Sequence, residues 1–246
     1  MNLKLSGAFF PVAVVLACVA VMLILFGAKA AAQQAVPPAA DAAKPVAIKL
    51  PADVYTDSGY RLPLPKREAM DEEGKKIYDM ILDPKTRTLA GLRGPLGIQL
   101  YSPKVAHLEH ELNDYLRYQS GFSGQVRELA ILITAREANS QFEWGIHERV
   151  ARKEGLDPKI IDVVKFRQST VGLPEKEAVI IELGRQMFGQ KRVTSDLYAR
   201  ALKLFGPRGL VDLVSLMGNY ASKAALLAAF DAIDLQSGPN PRLPLP

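Results

Sequence analysis

The chain of 246 residues has one cysteine, three histidines and one tryptophan, and only 7% of it is aromatic. A single cysteine excludes a disulfide framework. Because that residue, Cys18, lies in an apolar N-terminal run, thiol redox chemistry and a thiolate metal site are excluded for everything beyond it. Charge of one sign is also scarce: 31 Lys and Arg stand against 26 Asp and Glu, a net +5. Lys4 and Lys29 belong to residues 1–32, which hold no acid, and without that segment the balance falls to +3. So mild an excess gives no basis for nucleic-acid binding. At 48% apolar residues the composition also excludes disorder and a collagen-like chain, and it fits one globular domain with a short attachment. No alternating strand pattern of convincing length occurs.

What is present begins with a leader. Between Lys4 and Lys29 lie 24 residues without a charge, most of them strongly apolar. A basic start, an apolar core and small residues at Ala28-Lys29-Ala30 or Ala30-Ala31-Ala32 fit a cleaved secretory signal. The same run is long enough to span a bilayer, which takes roughly 20 residues. Residues 1–32 therefore read as a signal peptide or a membrane anchor. The domain is expected to be periplasmic or secreted, with membrane-anchored as the alternative and membrane contact only through a retained N-terminal segment. Val15-Leu16-Ala17-Cys18 resembles a lipoprotein cleavage site, but the apolar stretch continues for eight more residues, so Cys18 reads as a small hydrophobe. Residues 33–60, rich in Ala and Pro without an amphipathic period, read as a linker.

From residue 61 to 246 apolar residues recur at three- and four-residue spacings, over roughly 66–82, 103–119, 124–138, 141–154, 158–167, 174–189, 195–205 and 208–233. Ser102-Pro103 and Leu173-Pro174 mark helix starts, and Gly155, Gly189 and Gly206 mark helix ends. The expected fold class is all-α. Arg-Leu-Pro-Leu-Pro occurs at 61–65 and again at 242–246, reading as extended arms over the helices or a neighbouring subunit, or as terminal coil. A weaker repeat, offset by 84, sets Glu128-Leu129 and Leu132 against Asp212-Leu213 and Leu216, and His147 against Asp231. It suggests a degenerate duplication of the central helix pair, with Asp212 and Asp231 marking a vestigial second site.

That helix pair carries the chemistry. On a helical wheel Ile131, Leu132 and Ala135 lie within about 60° of Glu128, which puts a carboxylate in an apolar stripe. Ile146 and Val150 likewise lie within about 60° of Glu143, and His147, one turn on, points the same way. A buried carboxylate has its pKa raised by desolvation and lowered by a nearby imidazolium, so Glu and His together can exchange protons near neutrality. Glu128, Glu143 and His147 are expected to share one pocket. The bland alternatives are that Glu143 closes a Ser-x-x-Glu capping box from Ser140, that Glu128 pairs with Arg127 or Arg136, and that His147 is a satisfied core histidine. His107, His110, Glu111 and Asp114 form a second cluster with metal-ligand spacing. Val105, Leu108, Leu112, Tyr115 and Leu116 on the opposite side make that cluster read as the solvent face. Phe142 and Trp144 read as core or subunit-contact aromatics.

The segments Arg-Glu-Leu-Ala-Ile-Leu at 127–132, Gln-Phe-Glu-Trp-Gly-Ile-His at 141–147 and Ala-Arg-Lys-Glu-Gly-Leu at 151–156 resemble the carboxymuconolactone decarboxylase family, which includes the alkylhydroperoxidase D proteins. Gly-Pro-Leu-Gly at 94–97 and the final Leu-Pro-Leu-Pro are similar to longer members. In the peroxidase branch a Glu precedes Cys-x-x-Cys and a His. Glu128 and His147 match the Glu and His, but the cysteine positions hold Ser140 and Glu143. Thiol peroxidase activity is therefore not expected, since no thiolate is present to attack peroxide.

For the cysteine-free, decarboxylase-type branch the resemblance implies an alkylhydroperoxidase D-like helical domain assembled as a homo-oligomer, trimeric or hexameric. It implies lyase or isomerase acid–base chemistry on a small carboxylated lactone or related enolisable acid, with no metal and no organic cofactor. His147 would be general acid/base, Glu128 its orienting partner and Glu143 a second proton-handling group. Arg117, Arg127 and Arg136 are candidates to bind substrate carboxylates. The competing reading is a non-catalytic exported helical oligomer that binds a small molecule or a partner.

Overall fold

The computed structural model describes residues 50–234 and 242–245. The expected leader, Cys18 and most of the expected linker lie outside the described residues. Among the described residues every regular element is helical: α1 (Glu72–Leu82), α2 (Pro95–Gln99), α3 (Pro103–Asp114), α4 (Gly124–Glu137), α5 (Gln141–Lys153), α6 (Pro158–Lys165), α7 (Glu175–Gly184) and α8 (Ser195–Ala229). Three short 3-10 turns, at 67–69, 84–86 and 91–93, lie among the first of these. Among the described residues no helix is long and apolar enough to cross a membrane.

Caps set the helix starts. The side chains of Ser123, Ser140, Asp157 and Thr194 accept from backbone N–H groups of the first turns of α4, α5, α6 and α8, satisfying donors that have no partner within a helix. Proline at the first turn of α2, α3 and α6 costs nothing there, because the missing N–H would be unpaired anyway. α3 and α7 each run on into a π-helical stretch, Tyr115–Gln119 and Arg185–Gln190. The break in α8 falls at Gly206, whose φ of 66° an L side chain would resist, followed by Pro207.

α4 is the centre of the molecule. All ten residues from Arg127 to Arg136 are buried, and α5, α6, α7 and α8 pack around it. The main core gathers Leu129, Ile131, Leu132 and Ile133 with Trp144, Ile161, Ile180, Leu213 and Met217. A second cluster of Tyr60, Ile98, Phe142, Ile146 and Leu227 fastens the N-terminal segment to α5 and α8, and a third of Ile77, Ile81, Leu92, Leu100 and Ala106 packs the N-terminal helices on one another.

Several expectations change here. The linker expected over residues 33–60 ends earlier, because Val54, Ser58 and Tyr60 are buried and Ile233 N–H donates to the Gly59 carbonyl. The duplication fails as a structural repeat. Residues 222–224, counterparts of the turn between α4 and α5, lie inside the unbroken second part of α8. Asp212 is held by Tyr115 and Arg208, whereas Asp231 faces Arg61, so the two do not share a site. The expected face of α3 holds only in part: Leu116 is buried and Glu111 exposed as expected, but Val105, Leu108 and Leu112 are 46%, 52% and 43% exposed, while Ala106 is buried. Both Arg-Leu-Pro-Leu-Pro copies lie on the helices. The Pro63 carbonyl accepts from the Tyr101 hydroxyl at 2.6 Å, and Leu243 exchanges two 2.9 Å hydrogen bonds with the Gln141 side chain.

Candidate active site

Glu128 on α4 and His147 on α5 meet across the helix pair, both fully enclosed, with His147 Nδ1 2.6 Å from Glu128 Oε2. The other carboxylate oxygen, Oε1, accepts from Arg127 Nε at 2.9 Å and from Arg117 Nη2 at 3.3 Å. His147 Nε2 faces the opposite way and lies 3.4 Å from Glu143 Oε2. The three groups thus form a line, Glu128–His147–Glu143.

Electrostatics favour charge on Glu128 and His147. Burial pushes the Glu128 carboxyl up, but the His147 imidazolium and the guanidinium groups of Arg117 and Arg127 outweigh it and hold the pKa down at about 2. Burial pushes His147 down, but Glu128 first and Glu143 second outweigh it, so its pKa rises above the ordinary 6.5. Both shifts favour the charged form of the pair, carboxylate and imidazolium. The Tyr220 ring meets the His147 ring edge-on, with centroids 5.0 Å apart, and burial keeps its hydroxyl protonated.

The line ends at a cleft. His147, Glu143, Arg117, Tyr118, Phe142, Tyr220 and Lys223 contribute to a cleft enclosing about 660 Å³ of empty space, its open mouth included. Loop residues 86–91 and the start of α2 form the facing wall. Gly97 lets α2 fold back on the turn before it within that wall, since a Cβ there would lie 1.7 Å from the Leu92 carbonyl oxygen. The π-helical stretch after α3 carries both Arg117 and Tyr118 to the cleft. Arg87, with a φ of 55°, stacks its guanidinium 3.8 Å above the Tyr118 ring and pairs with Asp114 at 3.2 Å.

The expected residues sort clearly. Glu128, Glu143 and His147 are brought together, and Arg117 lines the cleft beside them. Arg127 sits behind the line, bridging Glu128, Glu154 and the Arg117 carbonyl. Arg136 is not brought there. It donates to the carbonyls of Lys165 and Pro244 and to Asn139 in a separate shallow pocket with Arg167 and Leu245, because its position on α4 points to the C-terminal arm. The capping box at α5 is only half formed: Ser140 Oγ accepts from Glu143 N–H, but the Glu143 side chain turns to His147. His110 and Asp114, expected on the solvent face, line the cleft. Among the described residues no group of three or more His, Cys, Asp or Glu is placed to hold a metal ion.

Sequence reasoning missed Lys223, Tyr220, Tyr118 and Arg87. The signal for Lys223 was available: it falls in the apolar stripe Leu213, Leu216, Tyr220, Ala224 and Leu227, where an unpaired lysine would be costly. Arg87 and Tyr118 come from a loop and a π turn, where helical spacing says nothing. No known protein-family model and no curated protein matches the chain.

Proposed function

We propose that the cleft carries out cofactor-independent acid–base chemistry, of lyase or isomerase type, on a small carboxylated lactone or related enolisable acid. The observation that supports this most directly is the buried Glu128–His147–Glu143 line ending in a cleft that also presents a guanidinium. Such a site needs a proton donor, a proton acceptor and a fixed positive charge for the substrate carboxylate. His147, kept as imidazolium by Glu128, supplies the proton to the electron-rich carbon or oxygen that develops in the reaction. Glu143 Oε1, which is buried without a hydrogen-bond partner, is the acceptor for a substrate proton. Arg117 binds the substrate carboxylate, and Arg127 holds Glu128 in place from behind.

The resemblance of residues 127–132, 141–147 and 151–156 to the carboxymuconolactone decarboxylase family agrees with this chemistry, and we infer an alkylhydroperoxidase D-like, homo-oligomeric, exported protein on the same grounds. The test is turnover of a panel of carboxylated lactones and enolisable acids by the wild-type chain and by His147→Gln, with helicity compared by circular dichroism. Loss of the general acid is expected to lower kcat by about 10²–10⁴-fold at unchanged helicity. Equal turnover by the two proteins would refute the reading.

A further inference from the structure

We propose that Lys223 is an amine nucleophile of this cleft, forming an imine with the keto group of a small 3-oxo acid. The inference rests on the acid–base reading above and narrows its substrate class.

Lys223 is 6% exposed and lines the cleft from the second part of α8. Lysine is almost never buried unless paired, and here its partners fix the nitrogen rather than enclose it in a tight ion pair. Nζ donates to Asn219 Oδ1, while Asn219 Nδ2 donates to Glu109 Oε2 at 2.7 Å. Nζ itself lies 3.5 Å from that same Glu109 oxygen. It also lies 5.3 Å from the centroid of the Tyr220 ring, whose edge-on contact with His147 places amine and imidazolium around one aromatic side chain. Burial first, and Arg117 as a lesser cause, lower the Lys223 pKa from 10.5 against the upward pull of Glu109 and Glu143. A desolvated lysine beside another cation is the arrangement that makes an amine nucleophilic near neutrality.

A separate observation points to a polar ligand there. Among the described residues Asn113 Oδ1, Arg117 Nε and Glu143 Oε1 are buried without hydrogen-bond partners, and all three residues line the cleft. Buried polar atoms are nearly always satisfied, so a ligand with both acceptors and donors fits this set. A 3-oxo acid offers its carboxylate to Arg117. The hydroxyl formed when the amine adds to its ketone is a donor for Glu143.

The chemistry balances without an oxidant or reductant. Glu109 takes a proton from the Lys223 ammonium, and the nitrogen lone pair adds to the carbonyl carbon to give a carbinolamine. His147 protonates the hydroxyl, which leaves as water, and an iminium forms. The bond to the carboxylate then breaks, its electron pair passing to the iminium nitrogen as CO2 departs. Protonation at carbon and hydrolysis by water release the ketone and restore the amine. Overall, a 3-oxo acid anion and one proton give a ketone and CO2.

The experiment incubates the full chain with acetoacetate and sodium cyanoborohydride near neutral pH, followed by intact-mass measurement and peptide mapping. The reduced adduct is expected at Lys223 faster than at the exposed Lys76 and Lys104, because the lowered pKa of the buried amine leaves more of it neutral. Lys223→Arg, with unchanged helicity, is expected to lose that adduct and keep the slow surface labelling. An unlabelled Lys223, or one labelled no faster than Lys76, overturns the inference, even where His147→Gln has lost turnover and the acid–base reading stands. Fast labelling of Lys223 with full turnover in His147→Gln upholds the amine and overturns the acid–base reading instead.

Discussion

At the scale of single residues, the ion pair at the centre of the molecule makes stability depend on pH in a defined direction. The folded pKa of Glu128, about 2, lies below its ordinary 4.5, so the stabilisation from its charge is complete above pH 4.5 and is lost as pH falls towards 2. His147 is shifted the other way, above 6.5, so the stabilisation from its charge is complete below pH 6.5 and is lost as pH rises through the raised value. Urea midpoints are therefore expected to be highest between pH 4.5 and 6.5 and to decline on both sides. Glu128→Gln removes the buried carboxylate that Arg117, Arg127 and His147 share, leaving only Glu154 to Arg127 and Glu143 to His147, and chemical denaturation is expected to show a loss of about 3–5 kcal/mol. A loss under about 0.5 kcal/mol, the range of an ordinary surface substitution, would contradict the assigned charge state. The triad was legible in the sequence because a carboxylate in an apolar stripe contradicts its surroundings. Its outcome also depended on Arg117, which arrives from another helix and carried no such mark.

At the scale of helices, the pattern of α4 to α8 was readable because apolar periodicity and the Pro and Gly punctuation pointed to similar boundaries. Where the two parted, the reading failed. α2, a five-residue helix, is too short for periodicity to register, and the π-helical ends of α3 and α7 break the spacing on which a wheel depends. The apolar side of α3 was assigned inward because it is the more hydrophobic face, yet α1 and α2 pack on the side that carries Ala106. α2 has its own test. A methyl group at Gly97 would meet the Leu92 carbonyl, so Gly97→Ala is expected to displace the wall formed by residues 86–94 and to cost about 1–3 kcal/mol. Thermal unfolding together with KM for the best substrate would register both effects, and an unchanged KM would show that the wall does not shape the cleft.

At the scale of the whole molecule, the two Pro-rich repeats are clamps on the helical core. The N-terminal copy joins the turn between α2 and α3 to the end of α8, and the C-terminal copy seats Leu243 against the first turn of α5. The repeat itself was plain in the sequence. Its docking was not, because a polyproline-like segment has no internal hydrogen bonds and takes its place from whatever surface it meets. Removing residues 242–246 is expected to cost about 1.5–3 kcal/mol, the value of one buried leucine, without lowering kcat. Arg136→Ala, which loosens the same arm, is expected to spare KM as well, whereas Arg117→Ala is expected to raise it about tenfold or more through the lost carboxylate contact. Kinetics on the two arginine variants would separate the cleft from the arm, and equal KM effects would contradict their assignment to different sites.

The central claim is that His147 enters the cleft as an imidazolium held by Glu128. The most direct measurement is an NMR titration of the His147 ring between roughly pH 5 and 9, in the wild type and in Glu128→Gln. The account predicts a midpoint above 6.5 in the wild type that moves down when the carboxylate is removed. A midpoint at or below 6.5, or one indifferent to Glu128, would contradict it.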